Sequence, residues 1–286
     1  MLKLQTPVKI ETGKVRISYD DKIMILGSCF ADNIGRLMQN AGFDVLVNPF
    51  GTLYNPKSIL NSVKRLHSGH PFTESDCVTI GSGSTLICSF SHGTKHGRKT
   101  AGEFLNDANE DLKKACDFYN RCNRVIITLG TAWCYNLKTT GETVTNCLKR
   151  DASEFNKVMM SIEEVEKAAG ETVRESPDKQ YILTVSPIRH LSDGAHNNQL
   201  SKSTLLIASD KIAENENCDY FPSYEIVMDE LRDYRFYAED MAHPSDQTIG
   251  YLWERFIDFS MDDKCRQTIS DKLRDFKRSS HIPINY

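Results

Sequence analysis

No segment of the 286-residue chain approaches the roughly 20 consecutive apolar residues that a membrane-spanning helix needs. The N-terminal stretch MLKLQTPVKIETGK likewise has no apolar core long enough for a signal peptide. Together these absences give the expectation of a cytoplasmic protein with no membrane partner. Nine cysteines run from Cys29 to Cys265, an odd number without a single C-x-x-C pair, which excludes a disulfide framework and a zinc knuckle. Charge of one sign is also missing. A net charge of −4 and a pI near 6.1 give no broad electrostatic reason to expect a nucleic-acid partner. The one local exception is the basic run Lys95, His96, Arg98 and Lys99. It lacks the lysine–serine order of a P-loop, and no G-x-G-x-x-G fingerprint occurs elsewhere. It reads either as an anion-binding loop or as a flap on the rim of a site. His92 and His96 have metal-ligand spacing only on a helix, and Gly93 and Gly97 disfavour one, so no metal is expected. No Pro/Gly/Ser-rich linker divides the chain. It reads as a single domain over 1–286, with a core at about 22–260 and a helical tail over 261–286.

What is present is a strand–helix alternation. Lys22 to Leu26 is a short apolar run closed by Gly27, the pattern of a buried parallel strand of about 4 to 8 residues. The spacing of Ile34, Leu37, Met38 and Ala41 predicts a helix over 32–41, ended by Gly42. Phe43 to Val47 is a second strand, followed by the loop NPFGTLYNP. Asn55-Pro56 then caps a helix toward Leu66. Residues 77–90 alternate around GSGS as a hairpin. Beyond them, helices are expected over 103–121, 153–169, 198–215 and 246–259, and strands over 124–129, 181–185 and 218–221. Such alternation argues for an α/β fold with a mostly parallel sheet covered on both faces. In that fold the loops after the strands share one rim. They carry Ser28, Asn48 to Pro56, Gly130 to Trp133, Ser186 to His190 and Asp240 to His243.

A serine hydroxyl is a weak nucleophile until a base takes its proton, and the base works best when a carboxylate orients it. Asp240-Met241-Ala242-His243-Pro244 supplies both. Proline disfavours helix at His243, so a tight turn returns the Asp240 carboxylate to the imidazole. The competing reading of the segment is a helix start. Cys29 is a rival nucleophile, since a thiolate needs only modest activation. Adjacent residues at a strand end point in opposite directions, so only one of the two can face His243.

GSCFA, NPFGTLYNP, TLGTAW, SPIRHLSDG and the late D-x-x-H-P, in that order over Ile23 to Trp253, resemble the GSCFA domain family, a branch similar to SGNH (GDSL-type) hydrolases. The resemblance implies a flavodoxin-like three-layer α/β/α sandwich and an ester-cleaving or acyl-transferring site without a cofactor. It selects Ser28 as nucleophile, with His243 as base and Asp240 as its support. It also implies that the N–H groups of Ser28 and Gly51 face the oxyanion. The third-motif asparagine of the wider superfamily is missing, because this chain reads Gly130-Thr131-Ala132-Trp133. Asn48, the Thr131 hydroxyl and the Trp133 indole are the substitutes.

Arg189 and His190 directly follow a strand and are placed to bind a substrate carboxylate or phosphate, with an internal ion pair as the competing role. His196, Asn197 and Lys202 either line the same pocket or start a solvated helix, and the helix is the favoured reading. The expected substrate is a small or glycan ester. The alternative is a non-catalytic ligand-binding module on the same fold.

Overall fold

A computed structural model describes residues 5–81 and 83–280. Five parallel strands form its central sheet: β1 (Lys22–Gly27), β2 (Asp44–Val47), β5 (Arg124–Leu129), β9 (Gln180–Val185) and β10 (Cys218–Tyr220). Between them in sequence lie a two-stranded ribbon, β3 (Val78–Thr79) and β4 (Ile87–Cys88), and a three-stranded antiparallel sheet, β6 (Trp133–Leu137), β7 (Thr143–Val144) and β8 (Phe155–Met159). The central order β2-β1-β5-β9-β10 is the flavodoxin-like 2-1-3-4-5 arrangement.

Strand periodicity sorts the core into two layers. Met24, Leu26, Val125, Ile127 and Leu183 pack against α2 (Pro56–Ser68), α3 (Ala101–Arg121), α4 (Ile162–Arg174) and α5 (Gly194–Ala213). Ile23, Ile25, Ile126 and Ile182 face the other way, onto α1 (Cys29–Asn40), α7 (Asp246–Ser260) and α8 (Asp263–Ser280). The short α6 (Ser223–Glu225) continues as a π-helical turn over Ile226–Leu231. The result is a three-layer α/β/α sandwich. The helical tail is α8, and residues 281–286 of the expected tail lie outside the described residues. No described helix is long and apolar enough to cross a membrane.

Two of the expected elements that come out differently bear on the site. The helix expected over 153–169 begins only at Ile162, where Ser161 and Glu164 form a capping box. Upstream, Phe155–Met159 is a strand, because its backbone pairs with β6 from Trp133↔Met159 to Leu137↔Phe155. The first helix starts three residues before Asp32: Ser28 caps it, and its side chain accepts from Phe30 N. That early start decides which residue faces the site.

Candidate active site

The loops after β1, β5 and β9 converge at the C-terminal edge of the sheet, beside the point where strand order reverses between β1 and β5. They enclose a cavity of about 410 Å³ lined by Cys29, Asn55, Thr131, Trp133, His190 and His243, among others. Its position follows from the turn at Gly27. There φ is +140°, and a Cβ would lie 2.2 Å from the Thr128 carbonyl oxygen, so only glycine lets β1 pass this close to β5.

Past that turn, Ser28 and Cys29 diverge. Ser28 is 1% exposed and does not line the cavity. Its N–H donates to Thr128 O at 3.1 Å, its Oγ lies 3.1 Å from Thr128 Oγ1, and the same oxygen caps α1. The hydroxyl expected to be the nucleophile is held inward between two strands. Cys29, the first residue of α1, opens onto the cavity instead. Its Sγ lies 3.6 Å from Tyr54 Oη. Burial pushes its pKa up, while the Tyr54 hydroxyl works in the opposite direction. The thiol therefore needs a base to release its proton.

That base is supplied by the 238–245 loop. His243 Nδ1 lies 2.6 Å from Asp240 Oδ2, while Asp240 Oδ1 accepts from the amides of Ala242 and His243, both at 2.9 Å. Those two amides, followed by the imidazole, hold the Asp240 carboxyl down at about 2. With Nδ1 engaged, Nε2 is the nitrogen left for the cavity, and it has no hydrogen bond among the described residues. The turn needs Met241 at φ +57°. It is clamped by Arg189, whose N–H donates to Ala242 O at 3.0 Å and whose Nη1 donates to Met241 O at 2.7 Å. Arg189 borders the cavity, but its guanidinium holds the base loop and stands 5.7 and 5.5 Å from the rings of Tyr234 and Tyr237.

His190 lines the cavity, and burial pushes its imidazole down to about 4, so it is neutral near pH 7. Its Nε2 is buried without a partner among the described residues, as is Trp133 Nε1. The Thr131 hydroxyl is engaged with Ser201 Oγ at 3.0 Å and the Trp133 amide at 3.1 Å. Gly51 and Asn48 do not reach the cavity. The Gly51 amide donates to Asn48 O at 2.8 Å, and its φ of +102° sets it against the backbone of Gly93. Asn48 Oδ1 accepts from Gly27 N at 2.8 Å and its Nδ2 donates to Asp32 at 2.7 Å. Both build the loop beneath the site.

Cys147 and Lys157 are among the wall residues that were not expected, and Asn55, expected as a helix cap within a rim segment, is a wall residue too. Lys157 pairs with Asp193 and lies 4.9 Å from the Trp133 ring centroid. Lys202 is wholly buried rather than solvated, and its Nζ donates to Gly130 O and Ser186 O, both at 2.6 Å. It thereby ties the ends of β5 and β9 together, and burial pushes its ammonium down to about 7. Serine is among the preferred residues for the position before a helix, which is the sequence signal for the cap that Ser28 forms.

The basic run is anchored. His92 is buried with Nδ1 2.7 Å from Ser89 Oγ, and Arg98 pairs with Asp107 at 2.6 Å. No group of three or more His, Cys, Asp or Glu side chains is placed to hold a metal among the described residues.

The family model described as the GSCFA family matches residues 22–256, a span that includes Cys29, Asn55 and the Asp240–His243 pair. No curated protein matches the chain.

Proposed function

The chain belongs to the GSCFA family, and we propose that it is an acyl-transferring enzyme, an esterase or acyltransferase, working through a thioester on Cys29. One observation carries this reading: Cys29 and His243 line the same cavity, with Asp240 on the far nitrogen of the imidazole. His243 takes the thiol proton as sulfur attacks the carbonyl carbon. The tetrahedral adduct collapses to a thioester, and the same proton goes to the departing alcohol. Water or an acceptor alcohol, deprotonated by His243, then takes the acyl group and restores the thiol. Burial raises the thiol pKa, so a base is needed to take its proton as the sulfur attacks.

The lining favours a neutral polar substrate. Lys157 is paired with Asp193, Arg189 holds a loop carbonyl, and His190 is uncharged, which leaves amides, hydroxyls and aromatic rings as the groups free to bind. A small or glycan ester fits that chemistry. A panel of short-chain aryl and sugar esters tests the reading: turnover by the wild type that is lost in Cys29→Ala supports it.

A second reading, a binding module on this fold, draws on the Cys29 sulfur having Tyr54 rather than His243 as its hydrogen-bond partner. Saturable ligand binding with no acyl transfer would select it. Catalytic contacts tighten in the substrate complex, so an open apo arrangement does not itself decide between the two.

A further inference from the structure

We infer that Asn55 is the second oxyanion donor of this site, acting with the backbone N–H of Cys29 in place of the missing third-motif asparagine. The inference rests on the acyl-transfer reading.

Asn55 is 4% exposed and lies in the wall of the cavity that Cys29 also lines. Its Oδ1 accepts from Ser58 N at 2.8 Å and so caps α2, which fixes which end of the amide is which. The other end, the NH₂ group, donates to no acceptor among the described residues, and neither does the Asn55 backbone N–H. An amide donor with no internal partner in a cavity wall is free to meet a ligand there. The Cys29 N–H is also unpartnered among the described residues, since the amides around it are occupied: Ser28 N by Thr128 O, Phe30 N by Ser28 Oγ and Ala31 N by Ser28 O.

Two rigid elements hold the asparagine. Its neighbour Tyr54 accepts from both Gly130 N and Thr131 N at 2.9 Å, pinning the loop to the end of β5, and the cap pins it to α2. Oriented donors that do not reorganise as charge develops are what an oxyanion needs. The alternatives meet that need less well. Gly51 N–H and the Thr131 hydroxyl already have partners, and Trp133 Nε1 is buried out of reach of a cavity ligand. When the Cys29 sulfur bonds to the carbonyl carbon, the carbonyl π pair moves onto oxygen. The Cys29 N–H and the Asn55 NH₂ stabilise that charge until the pair returns and the C–O bond to the leaving alcohol breaks.

The experiment separates capping from catalysis. Asp and Ser cap helices about as well as Asn, so Asn55→Asp and Asn55→Ser keep α2 while removing the donor. Hydrolysis of p-nitrophenyl acetate by the full chain is compared with melting temperature and with the rate of Cys29 alkylation by iodoacetamide, a displacement that develops no carbonyl oxyanion. The expected result is a loss of about 10²–10³-fold in kcat for both variants, with melting temperature kept in both and alkylation kept in Asn55→Ser. Variants within about threefold of wild-type kcat overturn the inference, as does a parallel loss of alkylation in Asn55→Ser, which would mark Asn55 as structural. If wild type and Cys29→Ala hydrolyse the ester equally, the acyl-transfer reading fails and the inference falls with it.

Discussion

Asp240 Oδ2 lies 2.6 Å from His243 Nδ1, and the same carboxylate takes the amide of His243 on its other oxygen. One four-residue turn thus fixes both the imidazole and the carboxylate that orients it, which directs Nε2 to the cavity.

Asp240→Asn keeps the shape of that turn but removes the charge. On the proposed mechanism it lowers kcat by about 10²–10⁴-fold, because the imidazolium formed during attack loses its counter-charge. Both side chains are about half exposed, so the melting temperature changes little. Steady-state kinetics beside a thermal melt checks both parts.

Lys202 gives a pH signature of folding. Its folded-state value, near 7, lies below the ordinary lysine value, so between the two the unfolded chain binds more protons. The contribution of this residue to stability therefore rises with pH from about 7 toward 10.5, by up to about 1.4 kcal/mol per pH unit, and is lost as pH falls. Lys202→Met removes that dependence and strands the carbonyls of Gly130 and Ser186. Urea unfolding of both proteins from pH 7 to pH 10 is expected to show the wild-type advantage over Lys202→Met growing with pH. An advantage independent of pH would contradict the assignment.

Gly27→Ala places a methyl against Thr128 O in a backbone region that disfavours side chains. The expected loss is about 3 kcal/mol, read as a fall in melting temperature. Gly69→Ala serves as a control: it also has positive φ, but nothing lies within 4 Å of its Cβ, and it should cost about 1 kcal/mol.

The parallel strands and the rim loops were legible in the sequence because each is a local pattern: KIMIL before Gly27, RVIITL before Gly130, QYILTV before SPIRH. Asp240 and His243 were legible for the same reason, being partners three residues apart. The inward placement of Ser28 was not, because it depends on Thr128, a hundred residues away. Lys202 looked solvated since its acceptors, Gly130 O and Ser186 O, belong to other elements. The β6–β8 sheet was missed because polar and charged residues interrupt it, and its pairing, not its composition, defines it. Asn55 was read correctly as a cap, but capping engages only one end of its amide.

Intact-mass measurement and peptide mapping after a brief reaction with an activated acetyl ester show which side chain carries the acyl group. The expected result is one acetyl group on Cys29, no label on Ser28, and turnover lost in Cys29→Ala yet retained in Ser28→Ala, which gives up a helix cap worth about 1 kcal/mol and the contact with Thr128 Oγ1. An acetyl group on Ser28, or full turnover by Cys29→Ala, would contradict it.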